Sequence, residues 1–269
     1  MFAQTRAPDE VLVVDDGSTD ETHEVLAGYA DRIRVVHQEN GGRSAARNTA
    51  VREARGRFLS FLDSDDRWTP TKLERQVPVL DADERVGLVH GHVDLIGPND
   101  EPLPEETARH HELFSAAHAA GVTYAGYAFD CRCFSSALTA RVEALRDVGF
   151  YDPALLLDDY DLYLRLALEW KISFLEGPAM ALYRHHEGQM TTYDLTMGQI
   201  QTAEKHLRLF VGHDELARRN FELMLARSWA VLNDQRSSRR HLVRALRLDP
   251  ALLREPWVVR RLAASFVRR

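Results

Sequence analysis

Residues 58–66 read Phe-Leu-Ser-Phe-Leu-Asp-Ser-Asp-Asp, an apolar run that ends in three carboxylates. Phe58, Leu59, Phe61 and Leu62 form the pattern of a strand buried on both faces. Acids at the end of such a strand lie at the sheet edge where open α/β folds bind ligands. Asp63, Asp65 and Asp66 repel one another unless a cation or a set of donors is present. Oxygen ligands of this kind suit Mg²⁺ or Mn²⁺, usually shared with a substrate phosphate. The same residues also read as a polar turn leading into a helix with Thr69 as N-cap and Pro70 at its first position.

Four further segments carry polar residues at positions suited to chemistry. Asp15 and Asp16 follow directly on the apolar run Val11–Val14, where a carboxylate can accept hydrogen bonds from a base or a ribose. Gly17 allows close backbone approach, and Ser18 with Glu21 reads as a capping box. In Asn40-Gly41-Gly42-Arg43-Ser44-Ala45-Ala46-Arg47-Asn48, small residues favour close helix packing, and Arg47 and Asn48 have the reach to meet a phosphate or a sugar. No Gly-x-Gly-x-x-Gly follows a strand, so this is not a dinucleotide fingerprint. Asp158 and Asp159 open a strongly periodic helix, either as caps or as reactive carboxylates. Tyr183-Arg184-His185-His186 ends a short apolar run.

The elements that must position these groups alternate from the start. Strands are expected near 10–14, 33–36, 57–62 and 86–90, with helices near 19–29, 44–54 and 70–80 between them. This order predicts an α/β fold with a mostly parallel sheet and helices on both faces. The segment 97–128, rich in Pro, His and Glu, reads as a loop with short helices. A strand near 134–138, a short helix near 142–147, a helix over 158–170 and strands at 172–175 and 180–183 complete the first region. Domain boundaries are read as 1–194 and 195–269, the second part helical. Within it, His241–Pro250 is similar to the second helix of a tetratricopeptide-type pair.

Taken together, the ordered segments Val-Asp-Asp-Gly-Ser-Thr-Asp, Asn-x-Gly-x-Ser-x-Ala-Arg-Asn and Phe-Leu-Asp-Ser-Asp-Asp resemble glycosyltransferase family 2, enzymes of the GT-A (nucleotide-diphospho-sugar transferase) Rossmann-like fold. The resemblance covers about residues 2–191. It implies that Asp15 or Asp16 contacts the nucleotide base, that Arg47 and Asn48 lie near ribose and diphosphate, and that Asp63 and Asp65 form an Asp-x-Asp motif. Asp65 is then the direct ligand of Mg²⁺ or Mn²⁺, with His186 beside it. Asp159 is the catalytic base of an inverting transfer, with Asp158 standing where the family usually has Glu. The donor implied is a nucleotide-diphosphate sugar, a UDP-sugar by default, and the acceptor a carbohydrate or lipid-linked group in cell-surface polysaccharide or glycoconjugate synthesis. The family usually begins with a strand ending in Pro-x-Tyr-Asn and a helix; here Met1–Thr5 read as the last turn of that helix. A misassigned start is the preferred explanation. A truncated, inactive domain acting as a binding module is the alternative.

Composition narrows the partners. Net charge is −7, from 34 basic and 41 acidic residues, which argues against nucleic acid. Cys131 and Cys133 fit no common metal or redox spacing and read as reduced thiols. No run approaches the ~20 apolar residues of a membrane span, and no signal-peptide pattern opens the chain. A cytoplasmic location is therefore expected. The arginine-rich C-terminal helices read as a solvated face, or as a peripheral contact with the inner membrane face or a partner protein.

Overall fold

The computed structural model describes residues 1–119, 121–186 and 188–264. In chain order the elements begin β1 (Leu12–Asp15), α1 (Thr22–Ala27), β2 (Arg34–His37), α2 (Arg43–Glu53), β3 (Phe58–Ser60) and β4 (Arg67–Trp68). Next come α3 (Lys72–Ala82), β5 (Val86–Gly91), β6 (Val93–Ile96), α4 (Pro104–His118), α5 (Tyr124–Phe129), β7 (Thr139–Arg141) and α6 (Val142–Asp147). The rest is α7 (Asp158–Glu169), β8 (Lys171–Leu175), β9 (Ala181–Arg184), α8 (Thr192–Leu209), α9 (Glu215–Val231), α10 (Gln235–Leu248) and α11 (Pro256–Ala264). Two compact units result: Met1–Val122 with Arg132–Pro153 and Arg165–Glu187, and Thr123–Cys131 with Ala154–Leu164 and Gly188–Arg269. The division is thus not a single cut after residue 194.

The first unit holds three sheets, ordered β1-β2, β3-β7-β5-β8 and β4-β9-β6. The α/β class holds, but the pairing is mixed rather than mostly parallel. β1–β2, β5–β8 and β6–β9 run parallel, whereas β3–β7, β5–β7 and β4–β9 run antiparallel. β7 lies between β3 and β5 and runs opposite to both, which a count of alternating elements does not foresee. β5 is buried along its whole length, and Val86 and Val89 pack with Leu80 of α3.

β1 pairs only with β2, and β3 only with β7, among the described strands. A cavity of about 790 Å³ lies between these edges, lined by Leu12 and Val14 on one side and Phe58, Leu59 and Ser60 on the other. This is why β3 is half-buried rather than buried on both faces.

Several local expectations change. Met1–Thr5 form no helical turn of an α-helix; Gln4 instead docks on α3, where its Oε1 accepts from Leu73 N at 3.1 Å and its Nε2 donates to Thr69 O at 2.6 Å. Thr69 does not cap α3, because its hydroxyl donates to Ala179 O at 2.8 Å. Residues 104–118 form a single 15-residue helix in place of the loop with short helices that the composition suggests. Pro104 starts it, Phe114 and His118 are buried beneath it, and Thr107 and His111 bond the backbone of β6. Residues 135–137 are a 3₁₀ turn, and the expected strand begins only at Thr139.

In the second unit, Glu222 meets His241 at 2.6 Å and Ser238 Oγ donates to Ala226 O at 2.7 Å, so α9 and α10 form an antiparallel hairpin. Leu223, Ala226, Leu242, Ala245, Leu252 and Val258 make its core. A buried polar chain ties α5, α7 and α8: Tyr124 Oη lies 3.0 Å from His206 Nδ1, and His206 Nε2 lies 3.0 Å from Asp161 Oδ1. No helix of the described residues is long and apolar enough to cross a membrane.

Candidate active site

Asp15 is the last residue of β1, opposite His37 of β2 in the parallel register. Its Oδ1 accepts from Ser18 N at 3.0 Å, and its Oδ2 lies 3.0 Å from His37 Nδ1 and 3.1 Å from His23 Nε2. Hydrogen bonds from Ser18 and then His37 hold its carboxyl well below the usual carboxylate range. Ser18 therefore serves Asp15 and not a capping box: α1 starts only at Thr22, without a side-chain cap. Asp16 organises the glycine-rich loop, its Oδ1 accepting from Gln38 Nε2 at 2.7 Å and Gly41 N at 2.9 Å. Gly17 has φ +77°, and an added Cβ would stand 2.9 Å from Asn40 N, so the loop needs glycine there.

Asp63, Asp65 and Asp66 meet different fates beyond β3. Arg47 Nη2, from α2, donates to both Asp63 oxygens at 2.9 and 3.2 Å, and Asp63 N donates to Ser136 Oγ at 3.1 Å. Asp65 Oδ2 lies 2.9 Å from His186 Nε2, just past β9, and both side chains are partly open to solvent. Asp66 is buried; its Oδ1 accepts from Arg184 N at 3.0 Å, and burial pushes its carboxyl up to about 6. It is a structural acid.

Arg184, which the sequence offers within Tyr183–His186 without a role, is the clamp of this loop. Its Nε donates to Asp65 O at 2.8 Å, its Nη1 to Gly97 O at 3.0 Å, and its Nη2 to Asp100 Oδ1 at 2.5 Å. Asn48 is 7% exposed, and its amide exchanges two bonds with the Tyr151 backbone, at 2.9 and 2.8 Å. It pins that segment and is not aimed at a ligand.

Behind β3 lies a buried polar network invisible in the sequence. Ser60 Oγ meets Thr139 Oγ1 at 2.6 Å, Thr139 Oγ1 donates to Gln76 Oε1 at 2.6 Å, and fully buried Lys72 donates to Leu138 O at 2.7 Å.

Asp158 and Asp159 open α7 within the second unit. Asp158 is buried, while half-buried Asp159 accepts from Tyr160 N at 2.8 Å through Oδ1.

The mixed α/β sheets have the GT-A fold. The solved structure of S. aureus TarS 1–349 matches it with a TM-score of 0.65 at 19% identity, over 98% of this chain and 82% of that one. A mannosyltransferase from Pyrobaculum calidifontis, solved with GDP-Man and Mn²⁺, matches with a TM-score of 0.63 at 18% identity, over 98% and 72%. A family model described as glycosyl transferase family 2 matches residues 1–141, and the chain belongs to that family. An uncharacterized glycosyltransferase of Nostoc is 35% identical over 159 residues, 57% of this chain and 48% of that protein. The Escherichia coli protein named UDP-Glc:alpha-D-GlcNAc-diphosphoundecaprenol beta-1,3-glucosyltransferase is 40% identical over 101 residues, 37% of this chain and 40% of that protein. The matched part thus spans less than half the length of either relative.

Proposed function

We propose that this chain transfers a sugar from a nucleotide-diphosphate sugar to an acceptor hydroxyl, with inversion and with a requirement for Mg²⁺ or Mn²⁺. One observation carries the reading: Asp65 and His186, 121 residues apart, come within 2.9 Å at the open ends of their strands. One carboxylate and one imidazole leave coordination positions for water and diphosphate oxygens, as sites of this class require. Bound there, the cation would neutralise the charge that develops on the departing diphosphate.

The chain's own residues have distinct tasks. Asp15, kept ionised, accepts from an N–H of the nucleobase, and Asp16 holds the Gln38–Gly41 loop beside it. Arg47, fixed against Asp63, presents a guanidinium toward the diphosphate. Asp159 takes the proton of the attacking hydroxyl, which the N-terminal turn of α7 favours by stabilising a carboxylate. A single base and one displacement invert the anomeric centre. The names of relatives agree with this donor class: TarS has been solved with UDP, and the Escherichia coli relative is named for UDP-Glc and a diphosphoundecaprenol acceptor. UDP is accordingly the first donor nucleotide to test, and lipid-linked or carbohydrate acceptors the first acceptors. The arginine-rich helices after residue 235 suit contact with an anionic membrane face.

The test is transfer or hydrolysis of UDP-sugars with Mn²⁺. Asp65→Asn and Asp159→Asn are each expected to lower turnover by about 10²–10⁴-fold, and only Asp65→Asn to weaken nucleotide binding. Turnover that is insensitive to both variants sinks the proposal. The cavity between β1 and β3 favours a second reading, a domain that binds nucleotide without turnover. UDP binding with no transfer from any donor would select it.

A further inference from the structure

We propose that Asp15, His23 and His37 form a second cation site, chemically distinct from Asp65–His186 and suited to a borderline transition-metal ion such as Zn²⁺ or Co²⁺. The three ligand atoms all lie within 4.8 Å of one another, the group among the described His, Cys, Asp and Glu side chains that does so. Each comes from a different element, and the backbone fixes two of them. Asp15 and His37 are register partners at the ends of β1 and β2, and His23 stands in the first turn of α1.

Two imidazole nitrogens converge on one carboxylate oxygen. Asp15 Oδ2 faces His37 Nδ1 at 3.0 Å and His23 Nε2 at 3.1 Å, while its other oxygen is held by Ser18 N. A tetrahedral ion with bonds of roughly 2.0–2.1 Å needs donors roughly 3.3 Å apart, a few tenths of an ångström wider than the two distances from Asp15 to the imidazoles. The imidazoles lie stacked with centroids 5.1 Å apart and planes 10° from parallel. Their side chains are 54% and 56% exposed, so they have room to open around the ion, whereas Asp15, at 1%, is held by Ser18 N. Two imidazoles and one carboxylate favour Zn²⁺, Co²⁺, Ni²⁺ or Cu²⁺, whereas Mg²⁺ and Mn²⁺ favour sets dominated by oxygen, which water and diphosphate would supply at Asp65–His186. Three protein ligands leave a fourth position open to water or an exogenous donor. On the reading of Asp15 as the base-recognising carboxylate, an ion here would compete with the nucleotide. That consequence rests on the proposed function, but the site itself does not.

The experiment titrates Co²⁺ alone into the Asp65→Asn/His186→Ala protein and reads its visible absorption. One equivalent is expected to bind with a four- or five-coordinate spectrum, to be displaced by Zn²⁺, and to weaken at least tenfold when His23→Ala or His37→Ala is added. Both histidines are half-exposed surface residues, and circular dichroism checks that the fold is kept. Absence of the spectrum in the Asp65→Asn/His186→Ala protein, or a spectrum unchanged by His23→Ala and His37→Ala, overturns the proposal. Neither nucleotide nor acceptor is present, so failure here is separate from failure of sugar transfer. UDP titrated into the Co²⁺-loaded protein then tests the competition.

Discussion

Two sets of titratable groups in the first unit are held in opposite ways. At the tip of β1, Asp15 is kept ionised by donors from Ser18 and His37. On the helices α3 and α4, Lys72 is lowered well below the usual lysine range by burial, and His110 is lowered to about 4 by burial and then by the charge of Arg132. His90, fully buried between His118 and His92, is lowered in the same way. Loop donors at the tip of a strand stabilise a charge, whereas burial without such partners disfavours one. The candidate active-site charges sit at strand ends, and the bases behind them are kept neutral.

The largest effect should come from the interior. Lys72→Ala removes a fully buried side chain whose Nζ lies 4.6 Å from the Trp68 ring centroid, and takes away the Lys72 donor to Leu138 O and to Thr139 Oγ1. A loss of about 3 kcal/mol is expected in urea unfolding. Lys72→Met keeps the volume and should cost less than half as much. Equal losses in both variants would mean that the hydrogen bonds, and not the packing, hold this position.

The pH dependence separates the two sets. His110 titrates at about 4 when folded against a reference value of 6.5, so the unfolded chain takes the proton first. Stability is then present above pH 6.5 and is lost as pH falls toward 4. Arg132, His111, His92 and His185 all face His110 and reinforce the lowering, and His90 and Lys72 act in the same direction. Asp15, with its folded value depressed below 3.8, loses its contribution only at lower pH. His110→Gln should flatten the fall between pH 7 and 4.5 by about 1–2 kcal/mol. Asp15→Asn should leave that interval unchanged. An equal effect of both in urea titrations at the two pH values would erase the distinction.

The sequence carried these two sets unequally. The acid-ended runs before Asp15 and Asp63 are legible because a hydrophobic stretch stopping in carboxylates needs no tertiary information. The same holds for β5, where every residue is apolar, glycine or a neutral buried histidine. The helix α4 was not legible. Its inward face is built from Thr107, His110, Phe114 and His118, and histidines count as polar until burial has made them neutral. β4 has two residues and exists only because Arg67 and Trp68 pair with Leu182 and Ala181, over 110 positions away. The Asp15–His23–His37 group is equally non-local, because a parallel register, not spacing, sets His37 beside Asp15. Asn48 stood in the expected motif, but its burial against Tyr151 follows from packing that the motif does not encode.

The smallest effect should come from the strand tip itself. Asp63→Asn keeps a carbonyl oxygen within reach of Arg47 Nη2, and the bond from Asp63 N to Ser136 Oγ uses only backbone. The Asp63 side chain is partly exposed, so the lost charge is screened and the stability change should stay within about 1 kcal/mol. Arg47 then loses its charged anchor, and affinity for a nucleoside diphosphate should fall by up to about tenfold, the equivalent of one charge-assisted hydrogen bond. Calorimetric titration with UDP and urea unfolding on the same sample read the two effects separately. A stability loss as large as that of Lys72→Ala would show that Asp63 supports the sheet from within, and the line between tip and interior would have to be drawn one residue further along the chain.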